Sequence, residues 1–231
     1  MQKFGLTAGS AFIPVTVDAD CDLVDLVVKG YIGECQGGVS IQTLNEYGQT
    51  LKTYAWQDYK VIRKEVVVAE FYGWYDTDDN SEVKRGDVPF QAGEGLWTYS
   101  TADGYTIQSS GQVPQSKVVV ELQKFGLSIA NPTPVTVDLT KCIVGGYEGE
   151  CQGGVSVQTL NEYGQTLKTY AWQDYKVIRK EVVVAEFHGW YDTDDNSELL
   201  EGLVPVDPGI GLWTYSTADG YTFEWPGVEI K

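Results

Sequence analysis

Residues 31–82 of this chain occur a second time, almost unchanged, at residues 147–198, an offset of 116 (147 − 31). Within 34–71 the only difference is Val157 in place of Ile41, and GWYDTDDN follows one residue later in both copies. This duplication limits what the chain can fold into. Solenoid units have periods of roughly 20 to 50 residues and cannot bury a core alone. A period of 116 in a chain of 231 residues instead predicts two tandem units, 1–116 and 117–231, each with its own core.

Each unit reads as β-structure. The chain carries 26 Gly, 15 Tyr and 7 Trp with one Met, a composition of strand and turn formers. In the first copy a loop ending in Pro14 leads to a short alternating strand, Val15-Thr16-Val17-Asp18. The acidic stretch 18–25 has room for a helical turn, and 27–34 reads as a strand. Gly37-Gly38 is expected to break the chain. The alternating runs 39–44 and 49–56 then make a β-hairpin across Asn45-Glu46-Tyr47-Gly48, with Gly48 as its left-handed residue.

Residues 61–75 mix VIRKEVV, which suits a helix, with Val66-Val67-Val68 and aromatics, which suit a strand; strand is expected, with a bulge at Gly73. Ala92-Gly93 and Pro208-Gly209 predict tight turns. Residues 95–100 and 105–108 predict a further hairpin across Ala102-Asp103-Gly104. Residues 109–116 have the composition of a linker. The expected class is all-β, with each copy an antiparallel β-sandwich or small barrel of roughly seven to nine short strands.

Residues 1–6 align with 122–127, so the first copy begins where the second already has a strand, 117–122, behind it. It reads as a piece cut from a longer polypeptide. Neither a transmembrane stretch nor a charged-then-apolar signal segment is evident. A net charge of −17 and a pI near 4.3 argue against nucleic acid or an anionic membrane surface as partner, since both demand clustered Lys and Arg. Acidity of this kind suits solubility outside a cell. Two cysteines per copy, Cys21 with Cys35 and Cys142 with Cys151, predict one disulfide each, although the spacings are 14 and 9 residues. No CxxC pair suggests zinc.

Read together, Asn131-Pro132-Thr133-Pro134-Val135, Gly189-Trp190, and Pro208-Gly209-Ile210-Gly211-Leu212-Trp213 follow an order N-P-x-P-V, G-W, P-G-x-G-hydrophobic-aromatic. That order resembles β-rich repeat modules of large bacterial secreted and cell-surface proteins. The first copy departs from it, with Ala11-Phe12 for Asn131-Pro132 and Ala92 for Pro208. The resemblance implies a surface location more than an activity.

Two clusters carry candidate chemistry. In Asp76-Thr77-Asp78-Asp79-Asn80-Ser81-Glu82, repeated at 192–198, oxygen ligands fall at alternate positions: Asp76, Asp78, Asn80 and Glu82, then Asp192, Asp194, Asn196 and Glu198. They resemble half of a calcium loop, because Ca²⁺ takes six to eight oxygens. Ser81 stands where an EF-hand needs Gly, and a solvated acidic turn is the alternative. The second cluster is aromatic. Trp74, Tyr75, Trp97 and Tyr99, with Trp190, Tyr191, Trp213 and Tyr215, would offer faces for stacking sugar rings. Tyr54 and Trp56 belong to the same set, and core packing is the competing explanation.

The lone histidine, His188, replaces Tyr72, so nothing here assembles a repeated acid or base. P-loop, GxSxG and HExxH patterns are missing. The reading reached is a non-enzymatic secreted or cell-surface module, structural or adhesive, partnered by a glycan or another surface protein. A carbohydrate-binding module and a calcium-binding β-domain are its alternatives.

Overall fold

The computed structural model describes residues 6–8, 21–45, 49–90, 92–108, 117–161 and 165–227. The expected strand at 15–18, Gly48 in the hairpin tip and the linker 109–116 lie outside them. In the first copy the strands are β1 (Leu6–Ala8), β2 (Cys21–Asp22), β3 (Val27–Lys29), β4 (Cys35–Leu44), β5 (Thr50–Arg63), β6 (Val66–Asp76), β7 (Pro89–Phe90), β8 (Leu96–Ser100) and β9 (Thr106–Gln108). The second copy has β10 (Val118–Glu121), β11 (Leu127–Ala130), β12 (Val137–Asp138), β13 (Ile143–Gly145), β14 (Cys151–Leu160), β15 (Thr166–Arg179), β16 (Val182–Asp192), β17 (Pro205–Val206), β18 (Gly211–Ser216) and β19 (Thr222–Trp225). Among the described residues the only helical pieces are single 3-10 turns, Leu23–Asp25 and Leu139–Lys141. None of the helices among these residues is long and apolar enough to cross a membrane.

The protein is all-β, and every strand pairing is antiparallel. Each copy is built on a five-stranded sheet, β1-β8-β4-β5-β6 and β11-β18-β14-β15-β16. Small sheets cover one face: β2-β7 and β3-β9 in the first copy, β12-β17 and β10-β19-β13 in the second. None closes into a barrel, so the arrangement is that of sandwiches. Alternation decides which side chains go inward. Val39 and Ile41 of β4, Trp56 of β5, Trp74 of β6 and Leu96 of β8 meet Leu23, Leu26 and Val28 in one buried cluster. Their counterparts form a second cluster around Trp190, Phe223 and Trp225, and Ala92 touches both.

Several local expectations are corrected. Gly37-Gly38 does not break the chain, because β4 runs through it with a register shift between Gln36 and Ser40. Gly37 takes φ +67, and a Cβ on Gly38 would come within 2.3 Å of the Tyr105 hydroxyl. Residues 61–75 do form strand, but a two-residue turn at Lys64-Glu65 divides them, with φ 49 and 65. These are the left-handed values a tight hairpin needs, here taken by residues that do not announce it. The bulge lies at Val61/Ile62, and Gly73 keeps register opposite Gln57.

The hairpin predicted across Ala102-Asp103-Gly104 does not form. β8 pairs with β1 and β4, whereas β9 pairs with β3 in the covering sheet. The turn therefore carries the chain from one layer to the other, letting Tyr105 pack beneath Gly38.

The disulfides are also absent: among the described residues, which include all four cysteines, each is a buried thiol. Cys35 and Cys151 occupy the same position in the two copies, but Cys21 and Cys142 do not. Trp74 Nε1 donates to the carbonyl of Leu26, and Trp190 Nε1 to that of Cys142, so Cys142 stands where the first copy has leucine. Cys21 precedes its 3-10 turn as Val137 precedes the other, and it faces Phe90 as Val137 faces Val206. Cys21 and Cys142 thus each stand where the other copy has an aliphatic core residue and act as small hydrophobes, which is why the spacings differ. Burial pushes the Cys142 thiol pKa up.

Candidate functional site

The pleat divides the aromatic candidates into two groups. Trp74 and Trp190 are 2% exposed and Tyr75 and Tyr191 8%, so their rings offer no open face for a sugar. Trp74 sits edge-on to Trp56, with centroids 5.4 Å apart, as Trp190 does to Trp172. On β8, Leu96, Thr98 and Ser100 are buried, which turns Trp97 and Tyr99 outward. Trp213 and Tyr215 on β18 follow the same pattern.

The two outward tryptophans meet. β1 lies against β11 and β18, and β8 against β11, so the five-stranded sheets abut along their β1 and β11 edges. Ala130 N–H donates to Gly93 O at 2.7 Å, and Glu94 bridges to Ile129. Across this junction Trp97 and Trp213 pack T-shaped, with centroids 6.3 Å apart and planes at 87°. They line a cleft of about 280 Å³ with Gln42, Leu44, Thr50, Gln158, Leu160 and Thr166. Every lining residue of the first copy is joined by its counterpart at the 116-residue offset, so the cleft is pseudo-twofold.

Register brings these residues together. Trp97 stands opposite Gln42 on β4, and Trp213 opposite Gln158 on β14. Thr50 Oγ1 donates to Gln42 Oε1 at 3.1 Å, and Thr166 Oγ1 to Gln158 Oε1 at 3.0 Å. With their oxygens engaged, the carboxamides offer a ligand N–H donors. The result is two indoles at right angles with a polar rim, a composition suited to a ligand with apolar faces and hydroxyl edges.

The acidic loops are organised from within. Asp76 bonds to the Lys52 ammonium and accepts the Asp78 N–H at 3.0 Å, while Asp79 accepts the Ser81 N–H at 2.8 Å. In the second copy Lys168 reaches Asp192 at 2.7 Å and Asp194 at 3.0 Å. Asn80 and Asn196 take φ 58 to close the turn, and Glu82 and Glu198 bridge back to Tyr75 and Tyr191. Hydrogen bonding by lysine, then by the Asp78 and Asp194 amides, holds the Asp76 and Asp192 carboxyls below the usual carboxylate range. Among the described residues no group of three His, Cys, Asp or Glu side chains converges as a metal site. A calcium ion would have to displace the lysine, so these donors do not fit one.

The remaining polar features are architectural. Tyr147 donates to Asp174 at 2.5 Å and accepts from Trp172 Nε1 at 3.1 Å; Tyr31, Asp58 and Trp56 form the twin. Burial, and then the carboxylate, push both phenols up to about 12. His188 stacks edge-on against Trp172 as Tyr72 does against Trp56, which makes the substitution a packing variant. Buried Asn131 donates to the carbonyls of Val135 and Val206 at 2.8 Å each and accepts from the Thr133 amide and hydroxyl. The N-P-x-P stretch is thereby a fastener for a loop.

Reading the sequence missed Gln42, Thr50 and Leu44 with their counterparts. Pairing of β4 with β8 across more than fifty residues places them, and no local pattern signals it. Comparison with protein families, curated proteins and solved structures finds no match.

Proposed function

We propose that this chain is a non-enzymatic module of a bacterial secreted or cell-surface protein, structural and adhesive in role, and that what it holds is carbohydrate. The observation that carries this reading is the perpendicular Trp97/Trp213 pair in a cleft rimmed by two glutamines and two threonines. Aromatic faces suit the apolar faces of a sugar ring, and N–H donors suit its hydroxyls. The cleft is shared by both copies, so one chain has one composite site rather than one site per repeat.

Affinity electrophoresis through soluble polysaccharides, backed by a glycan array, tests the reading. Retention of the wild type should weaken by about tenfold, or about 1.4 kcal/mol, in both Trp97→Ala and Trp213→Ala. Loss in only one variant would replace the composite site by a single-repeat site. A folded wild type retained by no polysaccharide removes the carbohydrate reading and leaves the structural role.

A further inference from the structure

The cleft between the two tryptophans does not stand alone. Where β4 ends beside the start of β8, a pocket of about 100 Å³ lies against Thr43, Leu44, Pro89 and Leu96, and it shares Gln42, Leu44 and Trp97 with the cleft. The second copy has the counterpart, about 160 Å³ against Thr159, Leu160, Pro205 and Leu212, sharing Leu160 with the cleft. Each of those four residues lies 116 positions after its equivalent, so the cleft is continued once in each copy at the same place. Strand alternation produces the continuation. Gln42 and Leu44 of β4 face the cleft, Thr43 between them faces the pocket beside β7, and Leu44, last in its strand, borders both.

Size and chemistry narrow what such a groove takes. The central cleft, at about 280 Å³, falls at the low end of the roughly 300–1,000 Å³ that encloses a whole small ligand. A ligand seated between the indoles therefore has room to run on into both copies, and its middle rather than an end lies against Trp97 and Trp213. Among the described residues no Lys or Arg lines any of the three cavities, and the chain carries −17. An acidic glycan would meet repulsion there with no cation to pair it. The donors the cleft presents, the carboxamides of Gln42 and Gln158, are neutral and suit hydroxyls.

Resting on the carbohydrate reading above, we propose that the groove binds an internal stretch of an unbranched, uncharged polysaccharide, with the central rings between the tryptophans and the flanking rings in the two pockets. Binding by the middle of a chain lets an adhesive module attach anywhere along a polymer instead of only at its ends.

Isothermal titration calorimetry tests this with linear oligosaccharides of glucose, mannose, xylose and galactose, α- and β-linked, from disaccharide to octasaccharide, and with oligogalacturonate as the acidic comparison. For the sugar that binds, affinity should rise by about tenfold or more from disaccharide to hexasaccharide and then level off. Reducing the terminal sugar of the octasaccharide to an alditol should change nothing, and oligogalacturonate should stay unbound. Thr43→Met and Thr159→Met together fill the flanking pockets, and should bring the hexasaccharide down to the affinity of the disaccharide while leaving the disaccharide's own unchanged. The length series on the wild type decides the matter without any variant having to fold. A disaccharide bound as tightly as the hexasaccharide, or an acidic series bound more tightly than the neutral ones, overturns the extended site and leaves the carbohydrate reading standing. Binding to no member of the panel overturns both.

Discussion

The two copies agree where their sequences agree, down to individual ring contacts. Tyr59 stacks on Phe71 with centroids 4.7 Å apart, and Tyr175 on Phe187 at the same distance. Lys64-Glu65 and Lys180-Glu181 adopt the same φ values, 49 and 65. The copies part in the covering layer. In the first, among the described residues, β9 pairs with β3 and Ile107 is half-buried; in the second, β19 is flanked by both β13 and β10, with Phe223 and Trp225 wholly buried. The same hairpin scaffold is thus met by cover residues of different volume, Ile107 in one copy and Phe223 in the other. Its own cross-strand pairs hold it, and the cover needs only to supply apolar surface of fitting volume.

That comparison is open to mutation. The largest effects belong to the shared core: Trp74→Ala and Trp190→Ala should each cost about 3–5 kcal/mol in urea unfolding. A clear inequality would show that the copies are equivalent in geometry only. In the covers the costs should diverge, with Phe223→Ala at about 3–5 kcal/mol and Ile107→Ala nearer 1 kcal/mol, since one residue is buried and the other half-exposed.

The junction comes next. Gly93 has φ +86, and a Cβ there would lie 2.8 Å from Val120 and 3.0 Å from Trp225 of the other copy. Gly86 has φ +95 with open space around it. Gly86→Ala should cost about 1–2 kcal/mol of backbone strain and Gly93→Ala more, with the excess reporting the contact between copies.

Smaller effects follow pH. Tyr31 and Tyr147 have folded values raised to about 12 from an ordinary 10. The unfolded chain therefore loses these protons first, and their stabilisation, whole below pH 10, falls away between pH 10 and 12. Tyr31→Phe and Tyr147→Phe should flatten that part of the alkaline unfolding profile equally. The Asp76 and Asp192 values are lowered, so their contribution is present above the ordinary carboxylate range and lost as acid titrates them. The smallest expectation is no shift in Tm with reductant or EDTA, since the cysteines are thiols and the acidic loops are tied by lysine.

Much of this architecture was legible in the residues. The 3-10 turn in the acidic stretch carries its own capping pair, Asp22 and Asp25, and the β4/β5 hairpin shows as two alternating runs. The Lys64-Glu65 turn was hidden because neither residue favours positive φ; pairing along both long strands imposes it. Tyr105 illustrates the opposite failure, a turn placed correctly whose strands part. Local turn chemistry does not reveal which layer the next strand joins.

By itself the sequence determined that this is a duplicated all-β chain, because periodicity and duplication are properties of consecutive residues and require no partner. It left undecided which aromatic faces core and which faces solvent. Sheet order alone made Trp74 a buried ring and Trp97 half of a cleft. It also turned four cysteines from expected staples into buried thiols, two of them, Cys21 and Cys142, in place of aliphatic residues, since burial opposite Phe90 and beneath Trp190 is a fact about neighbours distant in the chain.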